Sequence, residues 1–212
     1  MALKFQYAND QPYQLDAINA IADLFEDQQF RTSQFTAGDT AQMMIDQQHA
    51  TYKNSTLGIG FANDLRVSER RLADGLHTIQ ERNCLPKTQV LTDGRLRDFT
   101  VEMETGTGKT YVYIRTIYEL HKRYGLTKFI IVVPSVAIRE GVKKSFETMK
   151  EHFNTLYDGT PLDYFVYDSN NMGPVANFAM SSSIQVMIIN IGAFNKAFDK
   201  DGESDKSNLF HR

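Results

Sequence analysis

Apolar residues first fall into a helical rhythm in "QPYQLDAINAIADLF", where Leu15, Ile18, Ile21, Ala22 and Phe25 line one face and Pro12 stands where a first turn tolerates it. A second helix is expected over Ser68 to Gln80, carrying Leu72, Leu76 and Ile79. The stretch from 31 to 97 is otherwise polar and glutamine-bearing, and "LTDGRL" at its end reads as a turn. From Phe99 onward the rhythm changes. The short apolar runs "FTVEM", "KFIIVVP", "DYFVYD" and "IQVMIIN" read as buried strands, separated by helical patterns over Tyr111–Tyr124, near Gly141–His152 and near Val175–Met180. Apolar strands alternating with helices predict right-handed crossovers and a parallel sheet with helices on both faces. The expected fold class is therefore α/β, with a mainly helical N-terminal segment over 1–97 and the strand-helix lobe over 98–212. No internal repeat is visible, and "DKDGESDKSN" reads as a polar loop or frayed tail.

Composition sets bounds on this picture without changing it. At 212 residues, 42% hydrophobic and 23% charged, the chain can bury one good core and a smaller accessory subdomain. Its single cysteine, Cys84, excludes an internal disulfide and fits a reducing, cytoplasmic setting. The start "MALKFQYAND" has no apolar run of signal-peptide length, and "FIIVVPSVAI" is interrupted by proline and too short to span a bilayer, so no membrane partner is expected. The five histidines are scattered, and no Cys/His cluster has zinc-ligand spacing. Net charge is −3, which argues against nucleic acid, but its distribution is uneven: 109–150 holds nine basic and three acidic side chains. A local basic stripe of this kind suits a phosphate backbone, although charge runs are commonly just solvated faces.

That basic stretch begins inside "VEMETGTGKTYVYIRTI", where glycines stand between an expected strand and an expected helix. Glycines let a backbone turn tightly and present successive N–H groups to an anion, and the helix start adds donors and the positive end of its dipole. Lys109 can then reach β- and γ-phosphates, and the Thr110 hydroxyl is a hard oxygen suited to Mg²⁺. The pattern G-x-x-x-x-G-K-[ST] is met at Gly108, Lys109 and Thr110, with Met103 at the first glycine position and Gly106 supplying flexibility within the loop. A plain polar turn between strand and helix is the alternative.

"EMETGTGKT" followed by "FIIVVPSVAIREGV" resembles the motor region of the Res subunit of type III restriction enzymes, within the superfamily 2 helicases and translocases. The resemblance implies a RecA-like P-loop lobe whose loop, Thr105, Gly106, Thr107, Gly108, Lys109 and Thr110, binds ATP and Mg²⁺, with Lys109 and Thr110 as the catalytic candidates. It places Pro134, Ser135 and Arg139 where the family contacts the double-stranded DNA backbone, and Asn190, Phe194 and Asn195 in a segment that approaches DNA. It matches Gln14 to a glutamine that reads adenine, with Phe5 or Tyr7 available to stack on the base. A surface glutamine on a helix is nearly as good a reading of Gln14. In the family, ATP hydrolysis drives movement on DNA and endonucleolytic cleavage, and a partner modification (methyltransferase) subunit reads the DNA site.

ATP hydrolysis also needs an acidic pair, and 1–212 contains no Asp-Glu dipeptide. Asp168, closing "YFVYD", has four apolar or aromatic residues before it but no glutamate after it, so a plain turn residue is the preferred reading. The expectation is an N-terminal part of a larger motor that, by itself, binds nucleotide without turning it over. Other superfamily 2 helicases, a type I restriction motor subunit, a P-loop nucleotide kinase and a non-hydrolysing nucleotide-binding module are the rival readings. The role of 31–97 is open between an insertion over the nucleotide, a partner contact and a mobile segment.

Overall fold

Proline at its first position and a stripe of small and branched apolar residues make the first helix. In a computed structural model, which describes residues 6–37, 58–89 and 98–198, α1 (Pro12–Asp23) buries Ile18 and Ala22, with Gln14 on the same stripe. An antiparallel hairpin follows, β1 (Ser33–Ala37) with β2 (Gly58–Ala62), in a register that sets Ser33 opposite Ala62. α2 (Glu69–Arg82) starts where Ser68 accepts a hydrogen bond from the Arg71 N–H, and it buries Leu72 and Ala73. α3 (Lys109–Tyr124) ends at Gly125, whose φ of 73° places it in the left-handed region and whose N–H closes on the His121 carbonyl at 2.8 Å. A side chain there would also meet the Arg31 carbonyl oxygen at 2.7 Å.

The chain divides into two compact units. The first comprises 1–31 and 64–125 and is helical, with α1 against both α2 and α3. Helix α3 is buried over most of its circumference, including Tyr111, Val112, Ile114, Ile117, Tyr118 and Leu120, so it is the core element of this unit. Burial alone pushes the Tyr118 phenol up to about 12. One carboxylate links the three helices: Asp23 accepts from Arg82 at 2.7 Å and from Arg123 at 2.9 Å. The Tyr124 hydroxyl adds a buried bond to the Ala22 carbonyl at 2.8 Å.

The second unit comprises 32–63 and 126–212. Its parallel sheet contains β3 (Lys128–Val133), β4 (Leu162–Val166) and β5 (Ile184–Asn190) in the order β3-β5-β4. The crossovers are α4 (Val136–Leu156) and α5 (Gly173–Met180), and α6 (Ile191–Phe198) follows β5. Central β5 is the most buried strand, with Ile184, Val186, Ile188 and Ile189 each at 0–1% exposure. A buried aliphatic side chain of this kind is worth about 1.5–3 kcal/mol. Both faces are covered. Met187 and Ile189, with Tyr167, pack against Val175 and Phe178 of α5 and Phe194 of α6. On the α4 side, Phe146 stacks on Tyr164 of β4 at 4.8 Å between ring centres.

The α/β class, the parallel sheet and the helices on its two faces agree with the expectation. One expected strand does not form. Residues Phe99–Met103 lie in no ladder, and Val101 is 44% exposed. A strand is defined by its partner's hydrogen bonds, and this segment makes no ladder with any strand among the described residues. The hairpin β1–β2 was not expected. The "LTDGRL" turn and the "DKDGESDKSN" tail lie outside the described residues.

Candidate functional site

The glycine loop is built entirely within the first unit. Gly106 and Gly108 have φ of 84° and 88°, a region in which other residues are strained. The two are constrained differently. A Cβ on Gly106 would meet nothing within 4 Å, whereas one on Gly108 would stand 2.6 Å from Nε2 of Gln14. Gln14 comes from α1, is 9% exposed, and donates from Nε2 to the Thr107 carbonyl at 2.9 Å. It is therefore a buried brace on the loop rather than a surface side chain.

The loop is also fastened to itself. The Glu104 carbonyl accepts from the Thr107 hydroxyl at 2.7 Å and from the Lys109 ammonium at 2.6 Å. The first turn of α3 has no acidic residue, and the N–H groups of Lys109, Thr110 and Tyr111 precede the first internal helix bond, from the Val112 N–H to the Gly108 carbonyl at 3.0 Å. Left-handed glycines, helix-start donors and an exposed lysine beside them together fit a phosphate group. Thr110 is half-buried at the start of α3, and its hydroxyl is the kind of hard oxygen that suits a magnesium ion.

Aromatic residues gather beside the helix start. Tyr7 stacks on Tyr111 with ring centres 6.3 Å apart, and the Arg115 guanidinium lies 6.0 Å from the Tyr111 ring centre. Arg115 also donates to the Asn9 carbonyl at 2.6 Å, fixing the approach to α1 against α3. Phe5, the other stacking candidate, lies outside the described residues.

A family model described as the res subunit of type III restriction enzymes matches residues 8–211, the loop and the sheet together. The chain belongs to this family. Among curated proteins, it is 34% identical over 137 residues to the type III restriction-modification enzyme EcoPI Res subunit of Escherichia phage P1, covering 64% of this chain and 14% of that protein. It is 32% identical over 148 residues to the EcoP15I Res subunit of Escherichia coli, covering 62% and 15%. With the StyLTI Res subunit of Salmonella typhimurium it shares 40% over 114 residues, covering 46% and 12%. The chain thus spans a small part of the length of the Res subunits it matches.

The residues expected to meet DNA belong to the second unit of this Res-family chain. Pro134 is exposed after β3, and Ser135 caps α4, its Oγ accepting from the Ile138 N–H at 3.3 Å. Arg139 donates to Glu140 at 2.9 and 3.1 Å, so its charge is already partnered. Other members of the basic stretch are similarly engaged: Arg123 with Asp23 and Glu119, and Lys144 with Glu147 at 3.5 Å. Lys128 donates to the Ser181 carbonyl and lies over the Phe178 ring, and burial holds it down at about 8. The basic concentration in sequence is therefore spread over two units and several structural tasks. Asp168 is exposed and accepts from the Asn170 N–H at 2.9 Å, closing a turn. Asn190 caps α6 through the Ala193 N–H at 2.7 Å, Phe194 joins the core beside Tyr167, and Asn195 is exposed.

Sequence reasoning missed the Glu104 carbonyl as the resting partner of Lys109. A backbone acceptor leaves no trace in residue type, so no pattern in the sequence marks it.

Proposed function

We propose that this chain carries the ATP-binding part of a Res subunit, with Gly106, Gly108 and the start of α3 cradling the phosphates. The observation that carries the reading is the glycine loop itself, two left-handed glycines leading into a helix whose first residues are Lys109 and Thr110. Lys109 exchanges its bond to the Glu104 carbonyl for the β- and γ-phosphates, and Thr110 offers its hydroxyl to Mg²⁺. Thr105 and Thr107 complete the loop, and Gln14 holds it at Thr107. An amide has two N–H donors and one acceptor, so after that bond Gln14 retains a donor and an acceptor for adenine, with Tyr7 as the neighbouring aromatic. When bound, Mg²⁺-ATP supplies the phosphoryl bond whose hydrolysis drives the motor. Residues 1–212 hold no Asp-Glu dipeptide to orient a water, so these residues alone are expected to bind nucleotide without turnover.

In the full-length protein the reading extends to a cytoplasmic, ATP-dependent, helicase-like translocase and hydrolase. It moves on double-stranded DNA, cleaves it, and works with a modification (methyltransferase) subunit. Family membership and the relatives' description as Res subunits of type III restriction-modification enzymes support the restriction part of this reading. Pro134, Ser135 and Arg139 are proposed to touch the DNA backbone, which requires Arg139 to leave Glu140. The test is ATP hydrolysis by the full-length protein with its modification subunit, with and without duplex DNA. DNA-stimulated turnover that disappears in Lys109→Ala is expected; normal turnover in a folded Lys109→Ala protein overturns the reading.

A further inference from the structure

Tyr113 stands one turn beyond Thr110 on α3, and residues three apart on a helix are neighbours on its surface. Its hydroxyl is shut away from solvent and, among the described residues, has no hydrogen-bond partner of ordinary geometry. A buried phenol without a partner carries a desolvation cost that phenylalanine of the same shape avoids, and a hydrogen bond gained on ligand binding would offset that cost. Burial raises the Tyr113 pKa, and the Thr110 hydroxyl is the hydrogen-bonding side chain that opposes the rise. The three-residue spacing puts the two side chains on the same surface of α3, and the Tyr113 hydroxyl makes no hydrogen bond of ordinary geometry to Thr110.

We propose that Tyr113 is a positioning residue for Thr110, receiving its hydroxyl proton when metal and nucleotide are bound so that the Thr110 oxygen turns its lone pairs toward the metal. This rests on the nucleotide reading of the loop. A threonine hydroxyl rotates freely, and only some orientations present a lone pair to a cation. A metal drawing on that oxygen makes its proton a stronger donor, so the bond to Tyr113 tightens as the metal binds. An outer partner fixing a metal-binding side chain is a general way of tuning such sites.

The experiment uses the full-length protein with Tyr113→Phe, Thr110→Ala and the double variant. Melting is measured without ligand, and binding of a fluorescent ATP analogue is measured across a Mg²⁺ titration and in EDTA. Tyr113→Phe should melt at or above the parent temperature, bind nucleotide equally in EDTA, and need about tenfold more Mg²⁺ for half-saturation. Added to Thr110→Ala, it should cause no further shift. A lower melting temperature with unchanged Mg²⁺ dependence overturns the proposal, because the hydroxyl then serves the fold. An equal shift in the Thr110→Ala background also overturns it, because the hydroxyl then acts by another route. A parent that binds no nucleotide, or a Lys109→Ala variant that binds as the parent does, overturns the reading of the loop and the role of Tyr113 with it. A parent that binds, with Mg²⁺ dependence unmoved by Tyr113→Phe, overturns the role alone.

Discussion

The glycine loop of the first unit and the parallel sheet of the second are ordered by different means. In the sheet, β5 hydrogen-bonds to β3 on one side and β4 on the other, and its side chains fill both faces, so the order is repetitive and shared among many contacts. In the loop, two residues sit in left-handed backbone, one carbonyl serves two donors, and a single glutamine from another helix holds the turn. The sheet loses little from any one bond, whereas the loop depends on few. A segment held by few, exchangeable bonds can give up Lys109 to an incoming phosphate; a strand in the middle of a sheet has no such freedom.

The most severe break of this contrast is Lys109→Ala. Its side chain is exposed and its bond is to the loop's own carbonyl, so melting should change by less than about 0.5 kcal/mol. Nucleotide affinity should fall by about 100-fold through loss of a charge-assisted contact, and ATP turnover of the full-length protein should fall to background. Phosphate release and a binding titration, set beside a melting curve, check both halves.

Ile188→Ala tests the opposite corner. It opens a cavity beneath a side chain at 0% exposure on the central strand, and should cost about 2–5 kcal/mol in denaturant unfolding. Where the variant remains folded, its nucleotide affinity should match the parent's. A large affinity loss without unfolding would mean that the sheet and the loop are not as separate in their energetics as their construction indicates.

Within the loop, the two glycines should differ. Gly106→Ala meets only the backbone penalty of positive φ, about 1–2 kcal/mol. Gly108→Ala meets the same penalty and the Gln14 amide as well, so its nucleotide affinity should be about tenfold lower again. Shortening Gln14 to alanine in the Gly108→Ala background should recover most of that difference. Equal affinities for the two glycine variants would remove Gln14 as the constraint on position 108. Alone, Gln14→Ala should weaken ATP binding by about 0.5–1.5 kcal/mol through the lost bond to Thr107, and should also narrow the preference for ATP over GTP. An unchanged preference would leave Gln14 as a brace and retire it as a reader of the base.

The smallest expected effect lies in the sheet. Lys128 is held at about 8 in the folded chain against an ordinary 10.5. Between those values the unfolded chain binds a proton that the folded chain does not, so this group's contribution to stability rises with pH through that window. Below about 8 both states are charged and the full cost of burying the ammonium is present. Subtracting Lys128→Met from the parent in denaturant unfolding at several pH values should therefore give a difference that rises between pH 8 and 10.5; a flat difference would mean the ammonium is not desolvated.

Local pattern was enough to place α1, α2, α3 and the strands β3, β4 and β5, because a helix stripe or a run of buried aliphatics is written in neighbouring residues. It was enough to mark the glycine loop as well, since positive φ at 106 and 108 favours glycine and the helix that follows opens on lysine and threonine. The sequence "EMETGTGKT" with "VPSVAIREGV" also carried the family resemblance. Pairing was another matter. Phe99–Met103 has strand-like residues but no ladder, and β1 with β2 forms a ladder from "SQFTA" and "GIGFA", which carry little strand pattern. Only the tertiary structure buried Gln14 against Thr107, set Lys109 on the Glu104 carbonyl and turned Arg139 to Glu140. Periodicity records which face of an element is apolar, but the hydrogen-bond partner of a strand or a side chain can lie anywhere along the chain: Gln14 and Thr107 are 93 positions apart.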